Sequence, residues 1–134
     1  MEKEYLESGN LKIWEIYWFD RTWLSENSSK EKGDYRPCIV IFKSKKQLVL
    51  IPMSSTATTL KWNIEYNSAT RRTTSNIHID NLRILDPRSL KNSKRCKTLL
   101  NMRSKNKINA RISSKKLKKE ILVKTRDILE NITG

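Results

Sequence analysis

A chain of 134 residues, 37% of them hydrophobic, can bury one core rather than two, so a single domain over 1–134 is expected. Three glycines leave little material for a phosphate cradle, and no P-loop, dinucleotide-binding glycine pattern, nucleophile elbow or HExxH sequence occurs, which excludes most nucleotide-hydrolysing chemistry. The formal charge of +14 is concentrated: thirteen Lys or Arg and no acid lie between Pro87 and Lys119, the footprint of a polyanion partner, because solubility alone does not require one sign to cluster.

The first residues, MEKEYLESGN, contain no apolar signal core, and no segment approaches membrane-spanning length, so a cytoplasmic location is expected. Lys12 to Phe19, KIWEIYWF, alternates as a strand, with Trp14, Ile16 and Trp18 on one face and Ile13, Glu15, Tyr17 and Phe19 on the other. Both faces are largely apolar. Core packing is the commoner explanation of clustered aromatics, with a second subunit as the other candidate cover. Asp20 to Tyr35 turns polar and reads as a long loop that only Trp23 and Leu24 can anchor.

The stretch Arg36 to Ser55, RPCIVIFKSKKQLVLIPMSS, organises the chain. Two apolar runs, Cys38 to Phe42 and Leu48 to Pro52, flank the polar turn KSKKQ, the pattern of a hairpin covered on both faces in a small, nearly closed barrel. Arg36 precedes Pro37, which forces extended backbone, and Ser54 and Ser55 follow Pro52, so the hairpin carries a guanidinium and a hydroxyl to the barrel's rim.

Lys61 to Tyr66 reads as a strand with one apolar face, and NSATRRTTS, with Arg71 and Arg72, as a polar turn. Asn76 to Asp80 is expected as a short strand with Ile77 and Ile79 inside and Asn76, His78 and Asp80 facing the other way. Leu82, Ile84 and Leu85 continue the apolar pattern up to Asp86 and Pro87. Lys91 to Ala110 reads as a basic insert, a loop or short helix. A helix from Lys115 to Asn131 closes the chain, capped by Ser113 or Ser114, with Leu117, Ile121, Thr125, Ile128 and Ile132 on its apolar face. Its lysines crowd the positive end of the helix dipole, which costs tenths of a kcal/mol each and fits a partner better than stability.

Cys38 lies in an apolar strand and Cys96 in the basic block; with one histidine no zinc set can be assembled from Cys and His, so a reduced protein without metal or cofactor is expected. The polar groups left at strand ends are Arg36, Ser54, Ser55, His78 and Asp80. They suffice for cleavage of RNA by its own 2′-hydroxyl, which needs a base (Asp80 or His78), an acid (His78 or Arg36) and groups that stabilise phosphorane charge (Arg36 with Ser54). Arg71, Arg72, Arg83, Lys94, Arg95, Lys97, Arg103 and Lys105, with Ser55, are the candidate RNA contacts. A non-catalytic RNA-binding barrel is the second reading, and a regulator acting through a protein partner the third.

Several segments together resemble the MazF/PemK family of toxin endoribonucleases: KIW at Lys12 to Trp14, RPCIVI at Arg36 to Ile41, VLIPMSS at Val49 to Ser55, IDNLRILDPRSL at Ile79 to Leu90 and RISSKKLKKEI at Arg111 to Ile121. The resemblance implies a mainly β, α+β fold, an SH3-like small barrel with a C-terminal helix. It also implies a homodimer binding single-stranded RNA at the subunit interface and an acidic antitoxin protein that blocks it. The family's arginine before proline matches Arg36 and its Ser or Thr after the next strand's proline matches Ser54. Of the Arg-x-Asp pair in the PemK-like branch, the Asp matches Asp80 and the Arg position holds His78. The Gly that precedes Asp-Ile-Trp in the family is absent, Leu11-Lys12 standing there.

Overall fold

The computed structural model describes residues 10–24, 35–54, 63–67, 74–90, 96–98 and 111–133. In chain order the strands are β1 (Ile16–Asp20), β2 (Tyr35–Lys43), β3 (Leu48–Ser54), β4 (Asn63–Asn67), β5 (Thr74–His78), β6 (Arg83–Leu85) and β7 (Cys96–Thr98), followed by helix α1 (Lys115–Thr133). They form a mostly antiparallel sheet in the order β4-β5-β3-β2-β1-β7, with β6 also on β3. No helix among the described residues is long and apolar enough to cross a membrane.

The hairpin of β2 and β3 is the centre of this sheet. Its turn closes because Ser44 donates its backbone N–H to Gln47 O at 2.8 Å and accepts the Gln47 N–H on Oγ at 3.0 Å. Cys38 pairs with Pro52 and Val40 with Leu50 before the register slips between Val40 and Phe42. The bulge takes Phe42 out of the alternation and leaves it 46% exposed, although it ends an apolar run.

Both hairpin faces are buried, each against its own cluster. Cys38, Val40, Leu48 and Leu50 pack with Leu11, Tyr17, Phe19, Trp23, Leu24, Leu90 and Cys96. Ile39, Ile51 and Met53, from the alternate positions, pack with Ile16, Ile64, Ile77, Ile79 and the helical Ile121 and Ile128. The continuous apolar runs follow from this, since a strand between two cores has no wet face. Trp23 and Leu24 anchor the segment after β1 as expected, Trp23 stacking on Phe19 with ring centres 5.8 Å apart and donating Nε1–H to Ser89 Oγ at 2.5 Å.

Ser114 caps α1, its Oγ accepting the Leu117 N–H at 3.2 Å. Ile121, Thr125 and Ile128 face the sheet, and Thr125 Oγ1 returns its proton to Ile121 O at 2.7 Å. Burial of each isoleucine is worth about 1.5–3 kcal/mol, against tenths for each misplaced lysine. Packing therefore holds the helix in spite of its charges.

The structure departs from the sequence reading in several places. β1 begins at Ile16 instead of Lys12, because Trp14 adopts a left-handed backbone with φ 72°. That conformation costs a non-glycine residue about 1–2 kcal/mol and is held by Trp14 N–H to Val40 O at 2.6 Å and Ile112 N–H to Trp14 O at 2.7 Å. The second apolar face of β1 is covered by the chain's own helix: Ile16 shares a cluster with Ile112 and Ile121, and Trp14 and Trp18 pack against it. Within the basic insert, Cys96 to Thr98 is neither loop nor helix but β7, paired with β1 and placing Cys96 in the core.

The expected strand from Asn76 to Asp80 ends at His78, and a 3-10 turn, Ile79–Asn81, follows. The pairing on β3 shows why. Ser54 lies opposite Asn76 and Leu50 opposite Arg83, so four steps along β3 face seven along the segment from β5 to β6. The surplus is the three-residue turn, which lifts Asp80 out of the ladder.

Candidate active site at the end of the central hairpin

Arg36 stands near the start of β2 and Ser54 ends β3, so the hairpin brings both to one end of the sheet. The guanidinium reaches two other strands. Nε donates to Met53 O at 3.1 Å, and Nη2 lies 3.3 Å from Nδ1 of His78, the last residue of β5. A guanidinium only donates, so Nδ1 is the acceptor and the ring carries its proton on Nε2. His78 is 5% exposed, in a lining where an unpaired polar atom is costly.

Two residues that the sequence reading left out of the site belong to this constellation. Asn76, 4% exposed, is the cross-strand partner of Ser54, and its Oδ1 accepts from Asn63 Nδ2 at 3.0 Å. Asn63 in turn lies opposite His78 on β4. The signal was present as the i, i+2 placement of Asn76 and His78, but a buried asparagine is recognisable only when its partner strand is known.

Asp80 sits half-buried in the 3-10 turn, and its Oδ1 is buried with no hydrogen-bond partner among the described residues. It shares no strand face with His78. An unsatisfied buried carboxylate oxygen is expensive in a folded protein. Arg83 is engaged with the backbone: Nε donates to Leu24 O at 3.1 Å and Nη1 to Asn81 O at 2.8 Å, which fixes the exit of the turn that carries Asp80. Ser55, Arg71, Arg72, Lys94, Arg95, Arg103 and Lys105 lie outside the described residues, and Lys97 is placed only through its backbone, opposite Trp18. No group of three or more His, Cys, Asp or Glu among the described residues could hold a metal ion.

Residues 12–118 match the family model of the PemK-like, MazF-like toxins of type II toxin-antitoxin systems. The chain belongs to this family. Among solved structures, MazF (Form-I) from Deinococcus radiodurans superimposes with a TM-score of 0.59 at 16% identity, covering 90% of this chain and 96% of that one. The MazE-MazF (Form-II) structure from the same organism gives 0.56 at 14% identity, covering 89% and 94%. No curated protein matches the chain. At these identities the structures establish that this PemK/MazF-like chain shares their fold. The arginine, hydroxyl, imidazole and carboxylate of the sequence motifs thus lie within one family domain, with Arg36 and His78 in contact.

Proposed function

We propose that this PemK/MazF-like toxin is a metal-independent endoribonuclease that cuts single-stranded RNA through attack of a 2′-hydroxyl on the adjacent phosphorus, in the cytoplasm, and that an acidic antitoxin neutralises it. The observation that carries the reading is the 3.3 Å approach of Arg36 Nη2 to His78 Nδ1, which joins residues 42 positions apart at the strand end where Ser54 also lies.

The geometry divides the roles. With Nδ1 occupied by Arg36, His78 is a poor base, and abstraction of the 2′-hydroxyl proton falls to the half-buried Asp80 carboxylate. His78 donates its Nε2–H as a hydrogen bond to the departing 5′-oxygen, which takes its proton from solvent as the bond to phosphorus breaks. Arg36 and Ser54 stabilise the charge that grows on the phosphorane oxygens. The 2′-oxygen bonds to phosphorus as the 5′-oxygen leaves, so the products are a 2′,3′-cyclic phosphate and a 5′-hydroxyl. The lysines and arginines of the basic window, among them Lys94, Arg95, Lys97, Arg103 and Lys105, add phosphate contacts, and a homodimer supplies the groove for the strand.

The test is cleavage of a long single-stranded RNA in EDTA, with end-group analysis of the fragments and Arg36→Ala and Asp80→Ala proteins alongside. Cyclic-phosphate ends from the wild type, with both variants depressed by about a hundredfold or more, are expected. RNA that is bound but never cut assigns the chain to the binding-module reading.

A further inference from the structure

One charge on the sheet face that carries the candidate site has no part in the chemistry above. Met53, Ile77 and Ile64 lie opposite one another on β3, β5 and β4 and pack into one core cluster. The alternate positions turn to the other face. There Ser54 lies opposite Asn76, Asn76 opposite Glu65, and His78 opposite Asn63. Cys38 pairs with Pro52, and the same register continued by two residues brings Arg36 beside Ser54. Arg36, Ser54, Asn76 and Glu65 thus form a row across β2, β3, β5 and β4, with Glu65 two strand spacings, about 10 Å, from Ser54. Glu65 is the only acidic residue in these four strands. It is exposed, and its carboxylate has no hydrogen bond or ion pair among the described residues. β4 ends the sheet order, and a charge on an edge strand discourages pairing with other chains. Either sign does that, and a lysine would do it without repelling a polyanion.

We propose that Glu65 selects the base beside the scissile phosphate, accepting hydrogen bonds from its Watson–Crick edge, and that the base it prefers is guanine. A carboxylate only accepts, so the base must donate. In single-stranded RNA that edge is open to side chains. Guanine presents two adjacent donors there, N1–H and the 2-amino group, which match the two carboxylate oxygens. Cytosine and adenine each set their amino group beside an acceptor nitrogen, and uracil flanks its one N–H with two carbonyls. With a phosphate at Arg36 and Ser54, a neighbouring base laid along the row reaches Glu65, and the carboxylate meets donors instead of a second phosphate. This assignment rests on the RNA half of the reading above and does not require that the strand be cut.

The experiment uses the full chain on a randomised pool of single-stranded RNA, with the fragment ends sequenced and aligned on the cut. Guanine should be enriched at one fixed position beside the cut. Inosine placed there in a defined oligonucleotide, which lacks only the 2-amino group, should lower cleavage by about tenfold. Glu65→Gln and Glu65→Ala should each lower the guanine-over-uracil ratio at that position by about tenfold. Because the ratio is internal to each protein, partial unfolding, which slows every sequence together, does not move it. No enrichment of guanine beside the cut, or a ratio unchanged in both variants, overturns the proposal. If the wild type cuts nothing, the same guanine, inosine and uracil oligonucleotides carrying fluorescein are read by anisotropy. Affinity that favours guanine and loses that preference in Glu65→Gln removes the nuclease reading and leaves Glu65 as the base-selecting residue. Affinity indifferent to the base or to Glu65, or no binding of RNA at all, overturns the assignment.

Discussion

Arg36 bridges two strands at the end of the sheet, donating Nε–H to Met53 O of β3 at 3.1 Å and Nη2–H to His78 Nδ1 of β5 at 3.3 Å. Only a forked, planar donor can serve both acceptors while keeping charge at the mouth of the site. Arg36→Lys should therefore retain the positive charge and still lose RNA cleavage by about a hundredfold, the size of effect found when one preorganised donor is removed. Single-turnover kinetics on an RNA oligonucleotide would measure it. Cleavage within a few fold of wild type would show that charge alone is sufficient.

The same contact fixes the tautomer of His78. In its neutral form the ring should carry its proton on Nε2, visible as the long-range nitrogen–carbon correlation pattern of that tautomer in NMR spectra of labelled protein. In the Arg36→Ala protein the preference should weaken. His78→Phe keeps the ring volume but removes both the acceptor and the donor. Its cleavage rate should fall by about a hundredfold.

Ile121 is fully buried between α1 and the sheet, in the cluster that contains Ile77 and Ile79 on either side of His78. Ile121→Ala should cost about 2–5 kcal/mol by chemical denaturation, from lost transfer energy and the cavity left behind. Leu122→Ala, one residue on and exposed, should cost well under 1 kcal/mol. Comparable losses at the two positions would mean that α1 is not packed as described.

Burial pushes the Cys96 thiol well above its ordinary range, and Cys38 is buried in the same cluster. A raised pKa means less thiolate at any given pH, and the thiolate is the reactive form. Ellman's reagent should therefore leave both thiols untouched in the native protein at neutral and mildly alkaline pH and titrate both in guanidinium. Prompt reaction under native conditions would place Cys96 outside the core.

The two apolar runs of the hairpin are legible as strands covered on both faces, and Ile39 and Ile51 lie on one face with Val40 and Leu50 on the other because a strand sends successive side chains to opposite sides. The face of α1 at Ile121, Thr125 and Ile128 is legible for the same local reason, whereas the cap, open between Ser113 and Ser114 in the sequence, is settled as Ser114 by its bond to Leu117. Arg36 before Pro37 and Ser54 after Pro52 could likewise be placed on strand ends from neighbouring residues.

What the tertiary structure decided is everything that depends on which strand lies beside which. The three-residue turn at Ile79–Asn81 exists to reconcile two pairings on β3, and no property of those residues read in isolation removes Asp80 from the face of His78. The meeting of Arg36 with His78, of Asn76 with Asn63, and of Cys96 with the core comes from hydrogen-bonded register between distant segments. Periodicity specifies a face; only pairing specifies a neighbour.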